Sequence, residues 1–143
     1  MPENFEYQRR VEFRDTDMAG IVHFSVFFAY MEEAEHALLK SLGLGVFSQY
    51  EGQEISWPRV AANCNYRNAI RFEDELSIRV TIERIGDKSV SYLHSIYCGD
   101  ALVADGKITT VCCRIEHGER PQSISIPAHI TDLLQPFVDT PSS

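Results

Sequence analysis

Between Phe5 and Leu42 the spacing of apolar residues changes period once. Up to Arg14 it is two: Val11 and Phe13 fall on one side, Arg10, Glu12 and Arg14 on the other, which predicts a strand over residues 5–14. From Ser25 onward the period is that of a helix. Phe27, Tyr30, Met31, Ala34, Ala37, Leu38 and Leu42 recur at i, i+3, i+4 and i+7, a stripe broad enough to be buried, with Glu32, Glu33, Glu35, His36 and Lys40 on the opposite arc. Ser25 is placed to cap the first turn, and Gly43 and Gly45 to stop the helix. Between strand and helix lies a short turn holding Asp15, Asp17 and Gly20.

The rest of the chain reads mostly as strand. Val46 to Gln53 is irregular, and Ile55 to Tyr66 is extended with a break at Pro58, which has no N–H to give a ladder. Asn68 to Glu75 is turn-like. Leu76, Ile78, Val80 and Ile82 alternate with Ser77, Arg79, Thr81 and Glu83, and a turn at Gly86-Asp87 leads into the alternation of Val90, Tyr92, His94, Ile96 and Cys98. A second turn at Gly99-Asp100 precedes a long strand from Ala101 to Glu116, in which Gly106 signals a bulge or a close backbone approach. Pro127 to Phe137 reads as a short terminal helix and the last five residues as frayed. The fold expected is α+β, one domain over residues 1–143, with an antiparallel sheet curled along a helix of about 18 residues, roughly 27 Å. Such a single layer leaves one face open, so a partner subunit is expected to cover it.

Composition narrows the function. With 13 Lys+Arg against 21 Asp+Glu the formal charge is −8, and the cations are scattered, which argues against nucleic acid. No apolar run reaches the ~18 residues of a membrane span, and no signal peptide is read at the N-terminus, so a cytoplasmic location is expected. Cys64, Cys98, Cys112 and Cys113 show no metal-ligand spacing, and Cys98, Cys112 and Cys113, in strand-like runs, are expected as core thiols; neither a metal nor a cofactor is expected.

Chemistry is suggested at one place. The turn brings a carboxylate beside a helix N-terminus, whose first N–H groups and positive dipole end favour an oxygen gaining negative charge. The amides from His23 to Val26 are the candidates. Asp17 could act here as nucleophile or general base, or it could simply cap the turn. Asp15 and Thr16 read as turn-stabilising, and Gly20 as a site of backbone permissiveness or close ligand approach. His23 is a second acid–base candidate, whereas Ser25 lacks the G-x-S-x-G context of a serine nucleophile.

The stretch D-T-D-M-A-G-I-V-H-F, Asp15 to Phe24, resembles the motif of hotdog-fold acyl-CoA thioesterases, specifically the 4-hydroxybenzoyl-CoA thioesterase-like group. Weaker likeness extends to Glu32-Glu33-Ala34, to N-x-x-Y-R at Asn63 to Arg67, and to Phe72 through Leu76. The resemblance implies a five-stranded antiparallel sheet wrapped around one long helix, dimers usually paired into tetramers, and hydrolysis of a coenzyme A thioester. It puts Asp17 at the catalytic acid position and the Phe24 N–H at the oxyanion. Where that group has Tyr-His or an aromatic pair, this chain has His23-Phe24. Trp57, Val60 and Asn63 fall where the family's second strand borders the acyl group. Arg84 and Lys88 flank the hairpin that would meet the nucleotide end, although the hydroxybenzoyl enzymes carry a denser basic cluster there. Alternatives are hydrolysis of acyl groups on acyl carrier protein and a non-catalytic acyl-CoA-binding role. The acyl group itself is not encoded in these spacings.

Overall fold

The computed structural model describes residues 3–46 and 48–139. Nine strands and two α-helices occur in the order β1 (Phe5–Arg10), α1 (Val26–Ser41), β2 (Ser48–Tyr50), β3 (Gln53–Ser56), β4 (Arg59–Tyr66), β5 (Glu75–Ile85), β6 (Ser89–Cys98), β7 (Ala101–Val111), β8 (Cys113–Ile115), β9 (Gln122–Ser123) and α2 (Ala128–Leu134). Five of the strands form one antiparallel sheet in the order β1-β5-β6-β7-β4, and α1 lies against its inner face. No helix among the described residues is long and apolar enough to cross a membrane.

The register follows from the alternation. Leu76, Ile78, Val80 and Ile82 on β5 and Val90, Tyr92, His94 and Ile96 on β6 all point inward and are buried. They meet Phe27, Tyr30, Met31, Ala34 and Leu38 of α1, with Trp57, Ile70 and Leu134 closing the same core. Gly106 is required by close approach: a Cβ there would stand 2.4 Å from the Asn63 carbonyl oxygen and 2.7 Å from Met31 Sδ. The helix ends at Gly43, which has φ +77°, while Leu44 N–H returns to the Leu39 carbonyl.

Several boundaries differ from the sequence reading, each for a local reason. The first strand stops at Arg10, because Val11 turns its N–H and C=O to Asp74 and Glu73 and a 3-10 turn follows at Phe13–Asp15. The Ser25 side chain does not cap α1; its oxygen lies 2.7 Å from His23 Nδ1 instead. The long last strand breaks at Cys112, whose N–H goes to Lys88, so that β8 can join β2, β3 and β9 in a second, four-stranded sheet. Part of the irregular connection at 46–53 is thus a hairpin, turned at Glu51 and Gly52 with positive φ; residue 47 lies outside the described residues, as do the last four of the chain. Glu35, assigned to the solvent arc, is 1% exposed. Arg59 of β4 reaches it with Nη1 2.7 Å from Oε2, a charge-assisted bond that lets the carboxylate lie inside. Burial still outweighs the arginine and raises the Glu35 carboxyl above the usual range. The cysteines are free, Cys112 and Cys113 buried and Cys64 and Cys98 half-buried.

Candidate active site

Residues 11–24 fold back on themselves because two carboxylates are used differently. Asp15 is 6% exposed. Its Oδ2 accepts the Glu12 N–H at 2.9 Å and the Tyr30 hydroxyl at 2.9 Å, and Arg9 stands at 3.5 Å. Burial, then the Asp15 carboxylate, push the Tyr30 phenol far up, so it stays a donor. Arg9 also binds Glu33 of α1 at 2.8 Å, and Tyr7 donates to the same carboxylate oxygen. The Asp15 main chain contributes as well, its carbonyl accepting the His23 N–H at 2.9 Å. Thr16 Oγ1 donates to the Phe13 carbonyl. The turn-stabilising role read for Asp15 and Thr16 corresponds to these bonds.

Asp17 begins a four-residue turn, with Gly20 N–H to its carbonyl at 3.0 Å and its own N–H to the Ile21 carbonyl at 2.9 Å. Gly20 has φ +81° and no atom within 4 Å of where a Cβ would lie, so the glycine is needed for its backbone angle rather than for space. A bridge between Thr16 and Val22 closes this small hairpin, and Val22 N–H ties it to Ile70. Asp17 Oδ1 accepts the Ala19 N–H at 2.8 Å; Oδ2 has no partner among the described residues. The carboxylate therefore does steady the turn, but with one oxygen.

That side chain lines a cleft of about 400 Å³ together with Ile21, Val22, Phe24, Phe27, Tyr66 and Ile70. Arg67, Asn68 and Ala69 complete the lining, so mostly apolar walls carry one acidic group and a few polar ones, as suits an apolar ligand with a reactive polar centre. The helix start completes it. The His23 N–H is used by Asp15, the Ser25 N–H leans toward His23 Nδ1 at 3.3 Å, and the Val26 N–H goes to the His23 carbonyl. Among the described residues the Phe24 N–H has no partner, so an amide donor at the dipole's positive end is available beside Asp17.

The structure thus brings Asp17 and Phe24 to one cleft, with Gly20 in the turn that carries Asp17. His23 is next to them, stacked on Phe24 with ring centroids 4.7 Å apart, but does not line the cleft. Its Nδ1 lies 2.7 Å from Ser25 Oγ and 3.3 Å from the Ser25 backbone nitrogen. The other expected contacts lie elsewhere in the chain. Trp57 is buried in the core, Val60 is 61% exposed on the sheet edge, and Asn63 is on the outer face of β4, across from Lys107. Arg84 and Lys88 are at the far end of β5, an 11-residue strand and so about 36 Å in length, from the end near the cleft. Period two gives the reason for Asn63: Cys64 and Tyr66 take the inward positions on β4. Phe27 and Tyr66 were missed as cleft walls; Phe27 is in the helix stripe and Tyr66 ends the N-x-x-Y, but neither spacing says that they meet, edge to face at 4.9 Å. Among the described residues no group of three or more His, Cys, Asp or Glu is arranged to hold a metal ion.

Comparison with known proteins gives the family. Residues 11–134 match the thioesterase-like superfamily. A 1,4-dihydroxy-2-naphthoyl-CoA hydrolase of Trichodesmium erythraeum is 32% identical over 94 residues, 66% of this chain and 68% of that one. A protein of the same name from a Synechococcus strain is 31% identical over 106 residues, 71% of each chain. The solved structure of a gentisyl-coenzyme A thioesterase superposes with a TM-score of 0.79 at 29% identity, covering 90% of this chain and 98% of that one. The chain belongs to the thioesterase-like superfamily and is a hotdog-fold thioester hydrolase.

Proposed function

We propose that the protein hydrolyses acyl-CoA thioesters in the Asp17 cleft. One observation carries the reading: Asp17, with a carboxylate oxygen that has no partner among the described residues, and Phe24, with an amide N–H that has none, line the same cleft at a helix N-terminus. Thioester hydrolysis needs both. The thioester oxygen takes up negative charge as its carbon is attacked, and an N–H aimed at it is worth about 2.7–4 kcal/mol of barrier. Asp17 Oδ2 supplies the attack in one of two ways. As nucleophile it bonds to the carbonyl carbon, the C–S bond breaks, CoA leaves as thiolate, and water then opens the mixed anhydride to free acid and restored carboxylate. As general base it takes a proton from the water that attacks. The Ala19 N–H on Oδ1 orients the carboxylate for either course. His23, with Nδ1 engaged by Ser25, has Nε2 for proton exchange at the rim.

The CoA hydrolases and the gentisyl-CoA thioesterase among the relatives favour CoA as carrier and an aromatic acyl group, which the Phe24, Phe27 and Tyr66 walls suit. Assembly as a homodimer or homotetramer is part of the reading. β4 has a strand neighbour on one side only and exposes Val60, and an edge strand of eight residues invites pairing with a second copy. A nucleotide-end role for Arg84 and Lys88, like an acyl-pocket role for Val60 and Asn63, then belongs to residues contributed across such an interface. Thiol release from a panel of 1,4-dihydroxy-2-naphthoyl-, gentisyl-, benzoyl- and hexanoyl-CoA tests the reading. Turnover of the aromatic thioesters is expected; saturable binding of every one without thiol release would overturn it.

A further inference from the structure

We propose that Tyr66 is a positioning residue for this cleft: its hydroxyl holds the Phe24 carbonyl from across the fold and so restrains the Phe24 backbone next to the peptide that presents the Phe24 N–H. The inference rests on the hydrolase reading, and it adds a residue that neither motif nor relatives assign a role. The Tyr66 Oη donates to the Phe24 carbonyl oxygen at 2.8 Å, between residues 42 apart in sequence. Its ring meets Phe27 edge to face, so the side chain is held at two points, one on each side of the helix start.

Three successive peptide units around Phe24 are each tethered. The first gives its N–H, that of His23, to the Asp15 carbonyl at 2.9 Å. The second carries the Phe24 N–H and has its carbonyl, that of His23, accepting from Val26 at 3.0 Å. The third has its carbonyl, that of Phe24, accepting from Tyr66. The first two tethers arise within residues 15–26. Tyr66 alone of these reaches in from β4, the edge strand, and so ties the sheet edge to the start of α1. An oxyanion donor has to be held before the charge appears, and its aim is lost over small rotations. Removing the third tether loosens the backbone at Phe24, whose next peptide then keeps only the Ser25 N–H contact with His23 Nδ1 at 3.3 Å, while the two local ones keep the turn folded. Burial raises the Tyr66 phenol above its ordinary value, which keeps it protonated and donating near neutrality.

Tyr66→Phe keeps the ring and removes only the tether, and it is measured beside wild type and Asp17→Asn on whichever acyl-CoA of the panel turns over fastest. The expected result is a fall in kcat of about five- to tenfold, the scale of one hydrogen bond, with KM within about twofold. The pH–rate profile should keep its shape, and amide hydrogen exchange at Phe24 should speed up by a similar factor. Unchanged kcat overturns the proposal. So does a rise in KM at constant kcat, which would make Tyr66 a substrate contact, or loss of a limb of the pH profile, which would make it a proton donor. If wild type and Asp17→Asn are equally inert, the hydrolase reading fails instead, and the exchange rate at Phe24 still decides whether the tether exists.

Discussion

Asp15 and Asp17 stand two residues apart in one turn and do opposite things. Asp15 is inside, its Oδ2 shared among a backbone N–H, a phenol and a guanidinium drawn from β1, the turn and α1. Asp17 is at the cleft, with one oxygen on the Ala19 N–H and the other free. The difference lies in what each carboxylate has already bound. A carboxylate whose lone pairs are satisfied by its own protein is scaffold; one left with an unclaimed oxygen at an apolar cleft is able to react. The D-x-D spacing achieves the split because the chain turns between the two residues, sending one side chain to the core and the other to the surface.

The largest structural effect is expected at the scaffold member. Asp15→Ala leaves the Glu12 N–H and the Tyr30 hydroxyl without their acceptor, while Arg9 keeps Glu33. It should lower stability by about 2–4 kcal/mol in denaturant unfolding, the scale of two buried donors left unpaired. Were Asp15→Ala as stable as wild type, the assignment of Asp15 as anchor would be wrong.

A second effect comes from His94, buried on β6 at 1% exposure with neither ring nitrogen hydrogen-bonded. Burial, helped by Arg59, takes the imidazole from 6.5 down to about 3. A depressed folded-state value means that the unfolded chain binds the proton first. The stability is therefore intact above about 6.5 and is lost as pH falls toward 3, by about 2 kcal/mol between pH 7 and 5. The Glu35 carboxyl, raised by burial, works in the opposite direction, so His94→Leu is the control that isolates the imidazole. Urea midpoints at pH 7 and 5 should separate in wild type and converge in that variant; equal slopes would mean that His94 is protonated in the fold.

The smallest effect is at the turn. Gly20→Ala meets no atom, so its cost, about 1 kcal/mol, comes from the positive φ alone. Thermal unfolding should register that loss. A neutral substitution would show that the turn relaxes to negative φ, and with it that Asp17 need not be held where it is.

Much of the fold was legible because its signals are local. The period-two strands, the helix stripe and the Pro58 break all follow from neighbours in sequence. What escaped depends on contacts across the fold. Glu35 reads as solvent-facing until Arg59 arrives from β4, and the hairpin at β2 and β3 is stabilised by β8, some 60 residues later. The candidate site divides in the same way. Asp17, Gly20 and Phe24 are readable from one contiguous motif, whereas Tyr66 enters through one hydrogen bond spanning 42 residues. The face that Asn63 takes depends on the strand's register after the bulge between Arg59 and Ala61, which neighbouring residues do not show.

The division of labour between the two aspartates is tested most directly by the rate of thiol release from the preferred acyl-CoA, measured for wild type and Asp17→Asn at matched folded concentration. Asparagine keeps the Ala19 contact and the shape of the side chain and removes the charge. A fall of about 10²–10⁴-fold, with the thermal unfolding midpoint little changed, is the expected outcome. Wild-type turnover by Asp17→Asn would contradict it, and the free carboxylate oxygen at the cleft would then have no part in the chemistry.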